Sequence, residues 1–106
     1  MADYLSVTTS VDSREAAERI ARELVERRLA ACVQLDGPFE SIYRWKGAVE
    51  EAREWRCTIK TRADRYDALE AALRALHPYE TPEILAHPVS GGGADYLAWI
   101  DESLDG

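Results

Sequence analysis

The sequence predicts an α+β fold of the ferredoxin-like type, a β-α-β-β-α-β sandwich with an extra helix at the C-terminal end. Two amphipathic helical segments, each flanked by strand-like runs, indicate this plan. A faint internal repeat supports it, because Asp12 and Asp64 each follow a short strand-like run and each open a predicted helix. At 106 residues the chain is expected to form one domain, residues 1–106.

The first helix is expected to begin at Asp12 or Ser13. Asp12 followed by Glu15 resembles a capping box, in which a side-chain oxygen accepts a hydrogen bond from a free backbone N–H of the first turn. The residues on one face of this helix are apolar except for the last: Ala17, Ile20, Ala21, Leu24 and Arg28. We expect this face to pack on the sheet.

The second helix is expected to begin at Asp64 and to end at His77. The end is predicted from Pro78, whose ring disfavours helical geometry in the residue before it. The apolar residues of this helix recur at helical spacing: Leu69, Ala72, Leu73 and Leu76. This spacing predicts a helix with one face in the core.

Five short runs are predicted to be strands. They span residues 5–8, 30–35, 39–45, 55–60 and 83–87, and a terminal helix is expected over residues 94–103. Lys46-Gly47 is a predicted turn between the third and fourth runs. In the fourth run, apolar Trp55, Cys57 and Ile59 alternate with polar residues, which gives that strand two different faces.

The charge balance argues against several classes of protein. Acidic residues number 20 and basic residues 13, for a formal net charge of −7. A nucleic-acid partner is therefore not expected, since phosphate binding needs a basic face, and an anionic membrane would repel the chain. No apolar run is long enough to span a bilayer, and the start at Met1 lacks the basic and apolar regions of a secretory signal. We expect a cytoplasmic protein with reduced thiols.

One face of the predicted sheet has no cover from its own chain apart from the last helix. Apolar or aromatic side chains nevertheless occupy both faces around Ile42, Tyr43, Trp45 and Trp55. An uncovered apolar area of roughly 400 Å² is near the upper limit for a soluble monomer. We therefore expect a homo-oligomer.

Few side chains can carry chemistry, and no nucleophile with a partner base is visible, so an enzyme is not expected. Residues 77–83 (HPYETPE) are the most unusual segment. Two prolines stiffen it and hold His77, Glu80 and Glu83 within a short arc, where imidazole and carboxylate would suit zinc or copper(II). The alternative is a rigid connection from helix to strand, in which Tyr79 packs and His77 hydrogen-bonds a carbonyl.

Cys32 and Cys57 both lie in predicted strands. Each is either a small core residue or a metal ligand, and two cysteines without C-x-x-C spacing cannot form a disulfide framework. Lys60 is expected to be an exposed lysine at a sheet edge. The three tryptophans are expected to be core or interface anchors.

Five separated motifs stand together in one order: residues 31–34 (ACVQ), 41–47 (SIYRWKG), 59–61 (IKT), 77–84 (HPYETPEI) and 96–100 (YLAWI). With this order and spacing the sequence resembles the CutA family of divalent-cation tolerance proteins over nearly its whole length. The resemblance implies a compact homotrimer similar in architecture to the PII signalling proteins, with long hairpins paired around the three-fold axis. It also implies a binding protein without an obligatory cofactor.

The resemblance further implies a metal or ligand site in a cleft between subunits. The metal candidates are Cys32, His77 and Glu80, for copper(II) or another divalent cation, and the Irving–Williams order favours copper. The candidates that line the ligand cleft are Lys60, Tyr79, Tyr43, Trp45 and Trp99. Residues 56–58 (RCT) depart from the family, in which aliphatic residues are more usual there, and this leaves the role of Cys57 open.

Three functions remain open from the sequence. The first is divalent-cation tolerance through metal binding. The second is a PII-like regulatory module that binds a small anionic ligand with charge from Lys60, although the short Lys46-Gly47 turn leaves no long mobile loop for a partner. The third is a trimeric assembly scaffold.

Overall fold

The structure is a computed structural model that describes residues 3–106. Its elements are β1 (Tyr4–Val11), α1 (Arg14–Glu26), β2 (Cys32–Trp45), β3 (Ala48–Arg62), a 3₁₀ turn (Ala63–Arg65), α2 (Tyr66–Leu76), β4 (Leu85–Pro88) and α3 (Ala94–Asp105). This order confirms the predicted α+β fold with its additional C-terminal helix. Met1 and Ala2 lie outside the described residues. The expectation that the chain start is no secretory signal partly concerns these two residues.

The four strands form one antiparallel sheet in the order β2-β3-β1-β4. The predicted strands at 30–35 and 39–45 are a single strand, β2, because a bulge between Asp36 and Phe39 bends the strand without ending it. Gly37 in this bulge has a φ of +137°, and a Cβ there would lie 2.9 Å from the carbonyl oxygen of Glu54. Only glycine fits such a position without strain.

The β2–β3 hairpin is longer than predicted, since β3 begins at Ala48 and not at Trp55. The Lys46-Gly47 turn is confirmed, with φ values of +49° and +83°. β1 pairs with β3 only as far as Trp55, so residues 39–54 have no strand neighbour within the described chain except each other. We call residues 39–54 the hairpin arm.

The last strand is shorter than predicted, spanning Leu85–Pro88 where residues 83–87 were expected. Pairing with β1 begins at Leu85, opposite Thr8, so Glu83 and Ile84 precede the strand that they were expected to open. The chain between α2 and β4 is therefore a longer connection than the sequence suggested.

The helix α1 begins where Ser13 caps it, because the Ser13 side chain accepts a hydrogen bond from Ala16 N–H at 3.1 Å. The predicted Asp12–Glu15 capping box is wrong, since Asp12 precedes the cap. Arg28 does not share the core face as predicted: α1 ends at Glu26, and Arg28 follows in a left-handed conformation with φ of +56°. The buried residues of α1 are Ala16, Ala17, Ile20 and Leu24.

The helix α2 ends as predicted, with His77 in extended geometry after Leu76. Its start differs, since Asp64 lies in the 3₁₀ turn and the α-helix begins at Tyr66. Its buried residues are Leu69, Ala72 and Leu73, with Leu76 half-buried. Both α1 and α2 pack on the face of the sheet that carries Val7, Val11, Cys57 and Ile59.

The helix α3 covers one end of the other face of the sheet. Ile100 and Leu104 pack there against Ala31, with Tyr4 at the edge. α3 ends at Asp105, beyond the predicted residue 103, where Asp105 pairs with Arg62 of β3 at 2.7 Å. Among residues 3–106 no helix has the length and apolar character needed to cross a membrane.

Candidate functional site

A cleft of about 640 Å³ lies where the hairpin arm meets the connection between α2 and β4. We call it the acidic cleft. Its lining residues are Ser10, Asp12, Ser41, Ile42, Tyr43, Trp45, Ala52, Glu54, Tyr79, Glu80, Thr81 and Glu83. A volume of this size is typical of sites for small molecules.

His77 lies behind the wall of the acidic cleft and holds two parts of that wall. The side chain is 8% exposed, and its Nε2 lies 2.9 Å from the carbonyl oxygen of Ser10. Its Nδ1 accepts a hydrogen bond from the backbone N–H of Tyr79 at 3.1 Å, so the ring proton is on Nε2. Burial lowers the pKa of His77 below its ordinary value. The ring therefore stays neutral at pH 7 and positions Ser10 and Tyr79.

Glu54 is the most buried carboxylate in the acidic cleft, with 8% of its surface exposed. One of its oxygens accepts a hydrogen bond from the Tyr79 hydroxyl at 2.7 Å. Burial, together with the hydrogen bond to Glu54, raises the pKa of Tyr79 above its ordinary value, so the phenol keeps its proton and donates it. This contact joins the hairpin arm to the connection after α2.

All charged side chains that line the acidic cleft are negative. Four carboxylates line it, from Asp12, Glu54, Glu80 and Glu83, and the lining contributed by residues 3–106 contains no lysine, arginine or histidine. Aromatic rings of Tyr43, Trp45 and Tyr79 form much of the remaining wall. Such a surface attracts cations, and it does not suit the small anionic ligand that the PII likeness implies.

The predicted site residues divide into two groups. Tyr43, Trp45, Tyr79 and Glu80 line the acidic cleft, with His77 behind it. The others do not line it: Cys32, Lys60 and Trp99.

Cys32 and Lys60 face each other across β2 and β3. Lys60 is half-buried beside β2, and its Nζ donates a hydrogen bond to the Gln34 side chain at 2.8 Å. It is therefore not the sheet-edge lysine that was expected, since β3 is an inner strand. Trp99 lies on α3, where its ring is 5.5 Å from that of Tyr96. These residues form no part of a common pocket with Tyr79.

The proposed metal ligands Cys32, His77 and Glu80 do not come together in one chain. Residues 3–106 contain no group of three or more His, Cys, Asp or Glu side chains placed to hold a metal ion. The register explains this: Cys32 pairs with Lys60, which pairs with Ser6 of β1, whereas His77 is bound four residues further along β1 at Ser10. Both ring nitrogens of His77 are also engaged, as the helix-to-strand interpretation expected.

Cys57 is a core residue. It is fully buried, and its Sγ lies 3.7 Å from the carbonyl oxygen of Ala17. Burial raises the pKa of the thiol to about 11, so it stays protonated at neutral pH and is a poor metal ligand.

Four residues of the acidic cleft lie outside the sequence motifs and were not predicted as site residues: Ser10, Asp12, Ala52 and Glu54. Asp12 was interpreted as a helix cap, and Glu54 lies among other charged residues of the hairpin arm. Only the register that places Glu54 opposite Phe39, beside the bulge, distinguishes Glu54 from its charged neighbours. The sequence does not reveal that register.

Residues 5–103 match the family model "CutA1 divalent ion tolerance protein". The divalent-cation tolerance protein CutA of Thermus thermophilus is 44% identical over 92% of this chain and 94% of its own length. The crystal structure of CutA from Xylella fastidiosa is 41% identical, with a TM-score of 0.94 over 97% of this chain and 99% of that one.

A further solved structure is described as the periplasmic divalent cation tolerance protein CutA from Archaeoglobus fulgidus. It is 37% identical and has a TM-score of 0.93 over 96% of this chain and 99% of that one. The expected cytoplasmic location is therefore not common to all proteins of this similarity.

Proposed function

Because the chain belongs to the CutA1 divalent ion tolerance family, we propose that it acts in divalent-cation tolerance as a homotrimeric binding protein and not as an enzyme. The side chains support binding rather than catalysis. His77 has both ring nitrogens in hydrogen bonds to the backbone, and the Tyr79 hydroxyl keeps its proton. Neither is poised as a base. The proposed location is the cytoplasm, which suits the two free cysteines.

The hairpin arm is the observation that carries the proposal. Ile42 is 68% exposed and Val49 is 63% exposed on it, next to the aromatic rings of Tyr43 and Trp45. β2 is also an edge strand of 14 residues, and an edge of this length presents unpaired backbone groups that another chain can pair with. A second and third copy would cover both the apolar side chains and the open edge.

The trimer would turn the acidic cleft into a crevice between subunits. Ile42, Tyr43 and Trp45 belong to both the hairpin arm and the cleft wall, so a copy packed on the arm would also border the cleft. Each chain contributes a formal charge of −7, and the crevices would accumulate cations.

For copper(II), we propose Cys32 as the first ligand of a site that neighbouring subunits complete. Cys32 is half-buried on β2, and among divalent first-row ions the Irving–Williams order favours copper(II). Glu80 is exposed and free to join such a site, whereas His77 would have to give up two hydrogen bonds to the backbone.

Calorimetric titration with copper(II) tests this site. We expect Cys32→Ser to weaken copper binding by at least about tenfold, because a thiolate ligand is lost. Cys57→Ser is the matched control, and its copper affinity should equal that of the wild type because the Cys57 thiol is buried and protonated. Equal affinity in Cys32→Ser and wild type would remove Cys32 from the site.

A further inference from the structure

We propose that α3 is a hinged flap that opens away from Cys32 while the rest of the sheet stays folded, and that the ion pairs of Arg62 set how often it opens. This motion does not depend on copper binding. It gives the C-terminal helix a role that the proposed function does not.

The apolar contact between α3 and the sheet is small. The buried residues of α3 are Ile100 and Leu104, fewer than α1 or α2 bury, and they pack against Ala31 with Leu97 and Tyr4 beside them. This cluster is separate from the main core that α1 and α2 form with the sheet. Elements with few buried apolar contacts open at a lower free-energy cost than the core does. Of the three helices, α3 is therefore the one that detaches most easily.

The connection that leads into α3 has the character of a hinge. Residues 91–93 are three consecutive glycines, and the helix begins directly after them at Ala94. Before them, the Val89 N–H donates to the carbonyl oxygen of Tyr4 at 3.0 Å and ties the chain to β1. Gly93, at the N-cap, has no side chain that could cap the helix. Because glycine rotates more freely than other residues, α3 can swing about residues 91–93.

The far end of α3 is held by charge. The helix carries four carboxylates and no basic residue, although the C-terminal end of a helix favours positive charge. Three arginines from other parts of the chain supply that charge: Arg28 after α1, Arg62 at the end of β3 and Arg65 in the 3₁₀ turn. We call these three side chains the arginine clamp.

Arg62 makes the strongest contacts of the arginine clamp. Its guanidinium donates to both carboxylate oxygens of Asp105, at 2.7 and 2.9 Å, and to Asp101 at 3.1 Å. Arg65 adds a donor to Asp105 at 2.8 Å, and Arg28 donates to the helix backbone at 3.3 Å. Bidentate pairs within a network are stronger than isolated surface ion pairs. The side chain of Arg62 is only 17% exposed, so salt screens its pairs less than fully exposed ones.

Cys32 lies on the face of the sheet that α3 covers. Cys32 is opposite Lys60, and Lys60 is opposite Ser6. Ser6 and Tyr4 are two residues apart in β1 and therefore share a face, and Tyr4 packs against α3. Burial raises the pKa of Tyr96 on α3, and a Cys32 thiolate nearby adds to that rise. Opening of α3 would therefore expose the Cys32 thiol.

The flap lies away from the hairpin arm. β3 begins in the arm at Ala48 and ends at Arg62, beside α3. An interface formed by the arms therefore does not need to part for α3 to open.

The test is hydrogen exchange, measured by mass spectrometry, on the wild type, Arg62→Gln and Asp105→Asn. In the wild type the α3 amides should exchange at least about tenfold faster than the paired amides of β1. Both variants should speed exchange in α3 by about threefold to thirtyfold and leave β1 within about twofold, because charged hydrogen bonds of the arginine clamp are lost. Arg74→Gln is the matched control: it removes the pair between Arg74 and Glu70 on α2 and should leave α3 unchanged.

Alkylation by iodoacetamide, a neutral probe, measures the exposure of the thiol. The modified cysteine is identified by peptide mass, and the fully buried Cys57 is the internal reference. The rate at Cys32 should rise in Arg62→Gln and Asp105→Asn by the same factor as exchange in α3. A change from about 0.05 M to about 0.5 M NaCl should speed both processes in the wild type by at least about twofold, and by less in Arg62→Gln.

Three results would contradict the flap. Equal exchange of α3 and β1 in the wild type, or equal acceleration of both in Arg62→Gln, would show that α3 opens only with the whole fold. An effect of Arg74→Gln on α3 as large as that of Arg62→Gln would remove the arginine clamp from its control. Unchanged alkylation of Cys32 while α3 exchanges faster would show that α3 does not cover the thiol. Asp105 is exposed near the chain end, so Asp105→Asn keeps the test decisive if Arg62→Gln does not fold.

Discussion

Tyr79 connects two buried polar groups on different elements. Its hydroxyl donates to Glu54 of β3 at 2.7 Å, and its backbone N–H donates to His77 after α2 at 3.1 Å. A hydrogen bond to a carboxylate such as Glu54 contributes roughly 1.5–3 kcal/mol, and one to a neutral group such as His77 roughly 0.5–1.5 kcal/mol. The wall of the acidic cleft is therefore held by polar contacts as well as by packing.

We predict that Tyr79→Phe lowers the free energy of unfolding by roughly 1.5–3 kcal/mol, because Glu54 stays buried and loses its donor. Urea unfolding at pH 7 and fixed protein concentration measures the change. Tyr96→Phe is the control, since Tyr96 is exposed on α3, and it should change stability by less than about 0.5 kcal/mol. A loss for Tyr79→Phe no greater than that of the control would show that the hydrogen bond does not stabilise the fold.

The buried imidazole of His77 predicts a pH dependence of stability. Burial lowers its pKa in the folded state, while the carboxylates of Asp12 and Glu54 and the Ser10 carbonyl partly oppose that shift. The unfolded chain, with a His pKa near about 6.5, binds the proton more readily. The contribution of His77 is therefore complete above about pH 6.5 and is lost as the pH falls towards the lower pKa of the folded state.

Urea unfolding between pH 7.5 and pH 5 measures the direction of this pH dependence. The wild type should lose stability across that range, and His77→Gln should lose less, because the group that takes up the proton on unfolding is gone. His87→Gln is the matched histidine control on exposed β4 and should keep the slope of the wild type. If the free energy of unfolding changed equally with pH in His77→Gln and wild type, His77 would not be the group responsible.

The bulge in β2 is the element on which the long hairpin depends. Gly37 has a φ of +137°, and a Cβ there would lie 2.9 Å from Glu54 O and 3.0 Å from Trp55 Cα. The atoms in the way belong to the backbone of β3, so a side chain could enter only if the two strands moved apart.

Gly37→Ala is accordingly expected to destabilise the protein by roughly 1–3 kcal/mol, from the strained φ and the contact with β3. Gly91→Ala is the control, because nothing lies within 4 Å of its Cβ position, and its stability should stay within about 1 kcal/mol of the wild type. Denaturant midpoints of the two variants provide the comparison, and equal midpoints would refute a close approach at the bulge.

Local signals explain which elements could be predicted from the sequence. The end of α2 depends on Pro78, and the Lys46-Gly47 turn depends on two residues with positive φ, so both were recognisable from neighbouring residues. The continuity of β2 through Gly37 and the start of β3 at Ala48 depend on pairing between distant residues. Such pairing is set by tertiary contacts and leaves no local pattern.

The residues of the acidic cleft also form two groups, those that the sequence identified and those that it did not. Tyr43, Trp45, Tyr79 and Glu80 were identified because they belong to motifs of contiguous residues. Glu54 was not, because its burial comes from the bulge and from Tyr79, which is 25 positions away in the chain. The separation of Cys32 from His77 likewise follows from sheet register and not from composition.

The elongated shape of the whole molecule is consistent with the assembly proposed above. Its extents are 45 × 26 × 23 Å, and the hairpin arm has strand partners only within itself among the described residues. Exposed Ile42 and Val49 on such an arm need cover, and three arms packed about a common axis would provide it.

If three copies close over their hairpin arms, the molar mass in solution must be three times that of one chain. Light scattering of the wild type at micromolar concentration should give about 36 kDa, three times the chain mass of 11.9 kDa. Ile42→Lys, on the arm, should shift the mass towards that of a single chain, whereas Val25→Lys, at an exposed position on α1, should not. A folded wild-type protein with the mass of one chain would contradict the assembly and, with it, the crevice between subunits.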